Sequence, residues 1–160
     1  MLYGMTTRFR CADPQPIWKV WDAFAIDTAE MIGYWEASAR RPVHLACADG
    51  AAAPAAAEAV LATSYVRRGN ATLVALASWA KDVVRCELRI DFGALGLDAR
   101  HAQARAPAID GFQEGIDARP LGGSTPVIDV EPGRGWLLFV EHRSEARGAR
   151  HAKHRALIEN

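Results

Sequence analysis

Trp79 and Trp136 are the side chains best suited to recognition. Trp79 closes the run Ala77-Ser78-Trp79-Ala80, and Trp136 opens Trp136-Leu137-Leu138-Phe139-Val140-Glu141. Aromatic rings at the edge of a sheet can stack on sugar faces, and Tyr65 could join such a platform. The same rings also suit a core or its open end, where a large amphipathic ring buries much area. The carboxylates Asp82, Glu87, Asp91 and Asp98 would do glycosidic acid–base chemistry only as a pair held roughly 5 to 9 Å apart across one cleft. Their places in the pattern are outward or in turns, where a charge is normally solvated, and no catalytic residue is assigned.

Metal and cofactor chemistry find little support. His151 and His154 are three apart and could share a helical face, but no third ligand accompanies them, so no metal site is expected. His44, His101 and His142 stand alone. Gly122-Gly123-Ser124-Thr125 lacks the lysine and spacing of a phosphate loop, and Gly93 to Gly96 is not a dinucleotide fingerprint, so no cofactor is expected. The three cysteines, Cys11, Cys47 and Cys86, are widely spaced and form no CxxC. A disulfide framework is not expected; one bridge is possible and at least one thiol should be free. Cys86 reads as a small core residue rather than a nucleophile.

The elements that would position these residues follow from periodicity. Asp13 can cap a helix whose first turn tolerates Pro14 and Pro16. Ile17, Trp21 and Phe24 recur at i, i+4 and i+7, so this helix has a wide apolar face that must pack on something large. Nothing nearby in the chain reads as its partner, and in isolation the face would be an exposed patch. Leu2 to Thr6 reads as a short strand before it, which together makes one unit of a β/α repeat. Met31 to Trp35 reads as a strand or extended crossover, and Ala48 to Ala59 as a loose alanine-, glycine- and proline-bearing loop.

From Val60 the period becomes two. Val60–Val66 and Thr72–Ser78 flank Arg67-Arg68-Gly69-Asn70 and predict a β-hairpin. In the next run Val84, Cys86, Leu88 and Ile90 face inward, while Arg85, Glu87, Arg89 and Asp91 face out. Asp91 to Asp98 is a compact turn. Further strands are expected at Ala102 to Ala106, Ile109 to Gln113, Val127 to Val130 and Gly135 to Glu141. The last is fed by the tight turn Pro132-Gly133-Arg134 and reads as buried on both faces. Several short strands with turn signals between them predict a mainly β chain built as an antiparallel β-sandwich.

Composition sets the outer bounds. The 160 residues, 50% hydrophobic, suffice for one ordinary domain, and 19 basic against 19 acidic side chains leave no footprint for nucleic acid. The exception is the basic tail 143–160, expected to be disordered. No segment reaches the apolar length of a membrane span, and Met1 to Arg10 is not a signal peptide. Localisation is open; if a longer parent is exported, its signal lies upstream.

Several segments, taken in order, resemble the end of a large family. They are Met1-Leu2-Tyr3-Gly4-Met5-Thr6, Asp13-Pro14-Gln15-Pro16-Ile17-Trp18-Lys19-Val20-Trp21 and Glu30-Met31-Ile32-Gly33-Tyr34-Trp35, followed by Ala75 to Ala80, Ile90-Asp91-Phe92 with Leu95-Gly96-Leu97-Asp98, and Pro132 to Leu138. The family is that of glycoside-hydrolase-like bacterial proteins related to the family 123 hexosaminidases. The resemblance implies a (β/α)8 barrel followed by a C-terminal β-sandwich.

In that layout residues 1–35 are the remnant of the barrel, its last strand and helix. Residues 36–59 are a loop or variable insertion, 60–142 the sandwich, and 143–160 the tail. Barrel active sites lie at the C-terminal ends of strands, so Met5, Thr6 and Arg8 would line the sugar cleft. The acid–base carboxylates would lie on earlier strands absent from this chain, so hydrolysis by this chain alone is not expected. The implied role is a non-catalytic domain that supports the missing N-terminal barrel. The alternative is a carbohydrate-binding module using Trp79, Trp136 or Tyr65.

Overall fold

The computed structural model describes residues 13–48 and 59–143. The chain enters through helix α1, Gln15–Phe24. The N-cap position is Pro14 and carries no side-chain cap; Asp13, expected to cap, lies one residue earlier and accepts a single hydrogen bond from the Gln15 backbone N–H at 3.0 Å. The helix stops at Ala25, whose left-handed backbone (φ 54°) sends the chain into a short 3-10 turn, Ile26–Thr28. Strand β1, Glu30–Ile32, follows.

β1 is the first edge of a six-stranded antiparallel sheet ordered β1-β3-β4-β9-β6-β7. The expected hairpin is present as β3 (Val60–Arg67) and β4 (Ala71–Ser78), with Arg67 opposite Ala71 and Gly69 at φ 70° in the turn. The Gly69 N–H donates to the Leu95 carbonyl, which ties this turn to the short helix α2, Phe92–Leu95. Asp91 caps α2 by accepting from the Ala94 N–H at 2.9 Å. After α2, Asp98 accepts from the Arg100 backbone N–H and pairs with the His101 ring. The Arg100 bond and then the His101 bond hold its carboxyl below the usual carboxylate range. Strands β6 (Ala102–Ala106), β7 (Ile116–Pro120) and β9 (Gly135–His142) complete the sheet.

Cross-strand register shows what each face does. Val66, Thr72, Val140 and Ala104 form one row on the inner face, and Tyr65, Leu73, Phe139 and Arg105 form a row on the outer face. The inner face packs against a three-stranded antiparallel sheet ordered β2-β5-β8. Its strands are β2 (Val43–Ala48), β5 (Val84–Ile90) and β8 (Val127–Val130). The alternation read in β5 is present: Val84, Cys86 and Leu88 are buried, while Arg85, Glu87 and Arg89 are exposed. The two sheets share one core, a mainly β, sandwich-like arrangement.

The helix thought to lack a partner has one in this chain. Phe24 is 3% exposed, and its ring lies 5.7 Å from that of Phe139 on the outer face of the large sheet. Ile17, Val20 and Trp21 pack against the same cluster of Tyr65, Leu73 and Phe139. Arg67 adds a polar clasp by donating to the Phe24 carbonyl at 2.8 Å. With α1 on one side and the small sheet on the other, β4 and β9 are covered on both faces. That is why Leu137 to Val140 is a continuous apolar run.

The expectation that 36–59 is loop is corrected by β2, which lies inside it and pairs with β5 from Val43↔Ile90 to Ala48↔Arg85. The sandwich therefore draws strands from before Val60. The expected strand at Ile109 to Gln113 is instead a turn closed by a single bridge, with the Ile109 N–H donating to the Gln113 carbonyl at 2.9 Å. The seven residues Met1 to Thr6 and Arg8, the alanine-rich stretch 49–58 and the tail 144–160 lie outside the described residues.

One cysteine pair is bridged, Cys47 to Cys86. The Asp91 N–H donates to the Pro42 carbonyl, so the alternation of the ladder puts Cys47 and Cys86 at a non-hydrogen-bonded pair. There the backbones approach most closely, and the two Cα atoms are 4.0 Å apart. Cys86 is thus a core residue, as its inward position suggested, and Cys11 lies outside the described residues.

Gly135 is required where β4 and β9 meet, because a Cβ there would run into the Leu76 carbonyl oxygen. That obstacle is backbone and cannot swing aside. Gly135→Ala is expected to destabilise the chain by about 1–3 kcal/mol, read as a lower urea midpoint with unchanged slope.

Candidate functional site

The two candidate tryptophans lie at the same end of the β4–β9 pair but do different things. Trp136 sits opposite Leu76 on the inner face and packs, half-buried, against the core between the sheets. Trp79 follows the last residue of β4, is anchored by its backbone N–H to the Ala59 carbonyl at 2.7 Å, and is 61% exposed as a residue. Among the described residues no ring contact joins Trp79 to Trp136. Tyr65 is buried under α1, and that burial pushes its hydroxyl above the usual tyrosine range. It is not available to a surface platform. Met5, Thr6 and Arg8 lie outside the described residues.

Trp136 does line a surface cleft of about 320 Å³, together with Phe112, Glu114, Asp129, Glu131 and Arg134. The β8–β9 turn supplies the last two, and Arg134 Nε lies 3.5 Å from Glu131. Glu114 and Phe112 arrive from the turn 109–113 and the residue after it. An indole, a phenyl ring and several carboxylates at one opening can hold a polyhydroxylated ring by stacking and by accepting its hydroxyl protons.

Gln113, in the same wall, has a structural task. Extending the β6–β9 register places Pro107 beside Leu137, where proline has no N–H to offer. The Gln113 side chain substitutes for a strand. Its Oε1 accepts from the Leu137 N–H at 2.7 Å, and its Nε2 donates to the Leu137 carbonyl at 3.1 Å and the Pro107 carbonyl at 2.7 Å. Gln113→Leu leaves a buried N–H and carbonyl without these partners. A loss of about 2–3 kcal/mol is expected by chemical denaturation.

The turn Pro132-Gly133-Arg134 beside Trp136 is a sequence signal that could have drawn attention to Glu131 and Arg134. No signal tied Phe112 and Glu114 to Trp136, because that proximity depends on the path of the chain between β6 and β7. Among the described residues no group of three His, Cys, Asp or Glu side chains is placed to hold a metal ion. No helix among them is long and apolar enough to cross a membrane.

The family model of the glycoside hydrolase 123 C-terminal domain matches residues 13–141, from just ahead of α1 to the penultimate residue of β9. The chain belongs to this family. No curated protein and no solved structure matches it. For a glycoside hydrolase 123 C-terminal domain, the match limits coincide with the architecture: α1 is inside the matched unit, and so are both sheets. The helix is therefore an integral part of the domain as the family defines it.

Proposed function

We propose that this chain is a non-catalytic C-terminal region of a glycoside-hydrolase-like protein, packing against and supporting a carbohydrate-active barrel. The observation that carries the reading is the location of exposed apolar side chains in a domain whose family is defined as C-terminal. Trp18 is 39% exposed, Met31 42% and Trp35 48%, and all belong to the first stretch of the matched region. Large apolar groups left in water so close to the point of entry suit contact with whatever precedes the domain.

In this reading Leu2 to Thr6 is the last barrel strand, with Met5, Thr6 and Arg8 facing the sugar cleft. The barrel would then end ahead of the matched domain, which begins at residue 13, while α1 clamps the outer face of the large sheet and β1 extends its edge. The bridge between Cys47 and Cys86 favours an oxidising compartment and so an exported parent.

The test is to read the coding DNA upstream of the Met1 codon in the same frame. A continuous open frame encoding β/α repeats is expected, and a stop codon with a ribosome site just before Met1 would contradict the reading.

A second reading, a carbohydrate-binding module, is favoured by the cleft around Trp136 and by the exposed Trp79. Glycan-array binding lost in both Trp79→Ala and Trp136→Ala would support it. An array with no bound glycan would remove it.

A further inference from the structure

A second cleft of about 480 Å³ opens between the two sheets at their β7 and β8 edges. It arises from mismatch: the three-stranded sheet is too narrow to cover the six-stranded one. Toward that side the large sheet also carries small side chains, with Ala102, Ala104 and Ala106 turned inward from β6. Leu88, Leu138 and Val140 line the cleft beside Ala104. The segment from Leu121 to Pro126 runs along its rim, with Leu121 buried and Gly122 and Gly123 in the positive-φ region.

The charge at this cleft has one sign. Arg119 is paired with Ala104 across β7 and β6, and Ala104 with Val140, so Arg119 projects on the core-facing side of an edge strand. Arg85 also borders the cleft, and no carboxylate does among the described residues. Among the described residues the side chains of Arg85 and Arg119 make no hydrogen bond or ion pair, while the third guanidinium at the cleft, Arg105, is paired with Glu141. None of the lining residues is aromatic, so the cleft lacks the stacking surface a sugar would use.

We propose that this cleft binds an amphiphilic carboxylate, its apolar body against the half-buried Ala104, Ile116 and Pro126 and its carboxylate on Arg119. The volume is in the range of small-molecule sites, and a guanidinium at the mouth of an apolar slot fixes an anionic head while the chain enters. An inward-pointing charge on an edge strand also discourages edge-to-edge pairing. That role explains Arg119 alone, but neither the slot behind it nor the absence of a carboxylate beside it. The proposal is independent of any barrel.

Decanoate, decanol and glucuronate serve as probes in isothermal titration calorimetry, all below the micellar range. Saturable one-to-one decanoate binding is expected, at least tenfold tighter than decanol. Arg119→Ala, at an exposed edge position, should erase that difference. Ala104→Leu should weaken decanoate at least tenfold by filling the slot, with circular dichroism and the thermal midpoint checking that each variant is folded. No saturable decanoate binding, or binding unchanged by Arg119→Ala, would overturn the proposal. Glucuronate bound as tightly as decanoate would overturn its apolar part.

Discussion

Opening the Cys47–Cys86 bridge, by Cys47→Ala or by reduction, is expected to lower the unfolding free energy by about 4 kcal/mol. The two residues are 39 apart in sequence, and closing a loop of that length removes about this much entropy from the unfolded chain. The effect is concentrated on β2, an edge strand of the small sheet whose only named strand partner is β5. Without the bridge, β2 keeps its ladder but loses the covalent tie that makes its docking independent of the stretch 49–58. In a domain of this size the loss corresponds to a thermal shift of roughly 10 °C. Thermal unfolding with and without dithiothreitol, with Cys47→Ala as the control, reads it directly. Equal midpoints for oxidised and reduced protein would show that the bridge adds nothing.

The second large effect concerns α1. Phe24→Ala is expected to cost about 3–5 kcal/mol, the usual penalty for removing a buried phenyl ring. Phe24 contacts Phe139 and lies under the Arg67 guanidinium, 5.7 Å from its ring, so its loss opens a cavity and loosens the Arg67 clasp. A helix released this way uncovers Leu73, Phe139 and Tyr65, and self-association should rise. Trp18→Ser, on the exposed flank of the same helix, should change stability by less than about 0.5 kcal/mol. Denaturation midpoints and size-exclusion profiles of the two variants make the comparison. Improved solubility with an unchanged midpoint in Phe24→Ala would mean the helix does not belong to this core.

Much of this architecture could be read in the residues, for stated physical reasons. The hairpin declared itself through two apolar runs around Gly69-Asn70, and β5 through strict alternation imposed by one wet face. β9 was legible because both its faces are covered. What covers the outer face was not legible: the apolar stripe of α1 says only that it needs a surface, and no local pattern names that surface as β4 and β9. β2 was obscured because Val43 to Ala48 is built of small and mixed side chains beside an alanine-rich run. β7 was hidden for the opposite reason, since after Ile116 its residues are exposed and carry no periodic signal.

The recognition residues divide in the same way. Trp136 was marked by its turn, yet its register on the inner face emerged only from pairing with Leu76. Tyr65 sits within a hairpin strand in which Ser64, Tyr65 and Val66 are all buried, so alternation gave no hint that helix α1 shields its ring. Arg119 and Ala104 share a face through strand pairing across 14 intervening positions, which periodicity within either strand cannot reveal.

The central claim is that the apolar side chains near the entry of this domain dock on a preceding barrel. Should the upstream reading frame encode the proposed β/α region, the most direct test is calorimetric titration of this chain with that region. Saturable binding, weakened at least tenfold by Trp18→Ser combined with Met31→Ser while the thermal midpoint holds, is the expected result. Absence of binding, or binding indifferent to both substitutions, would contradict it.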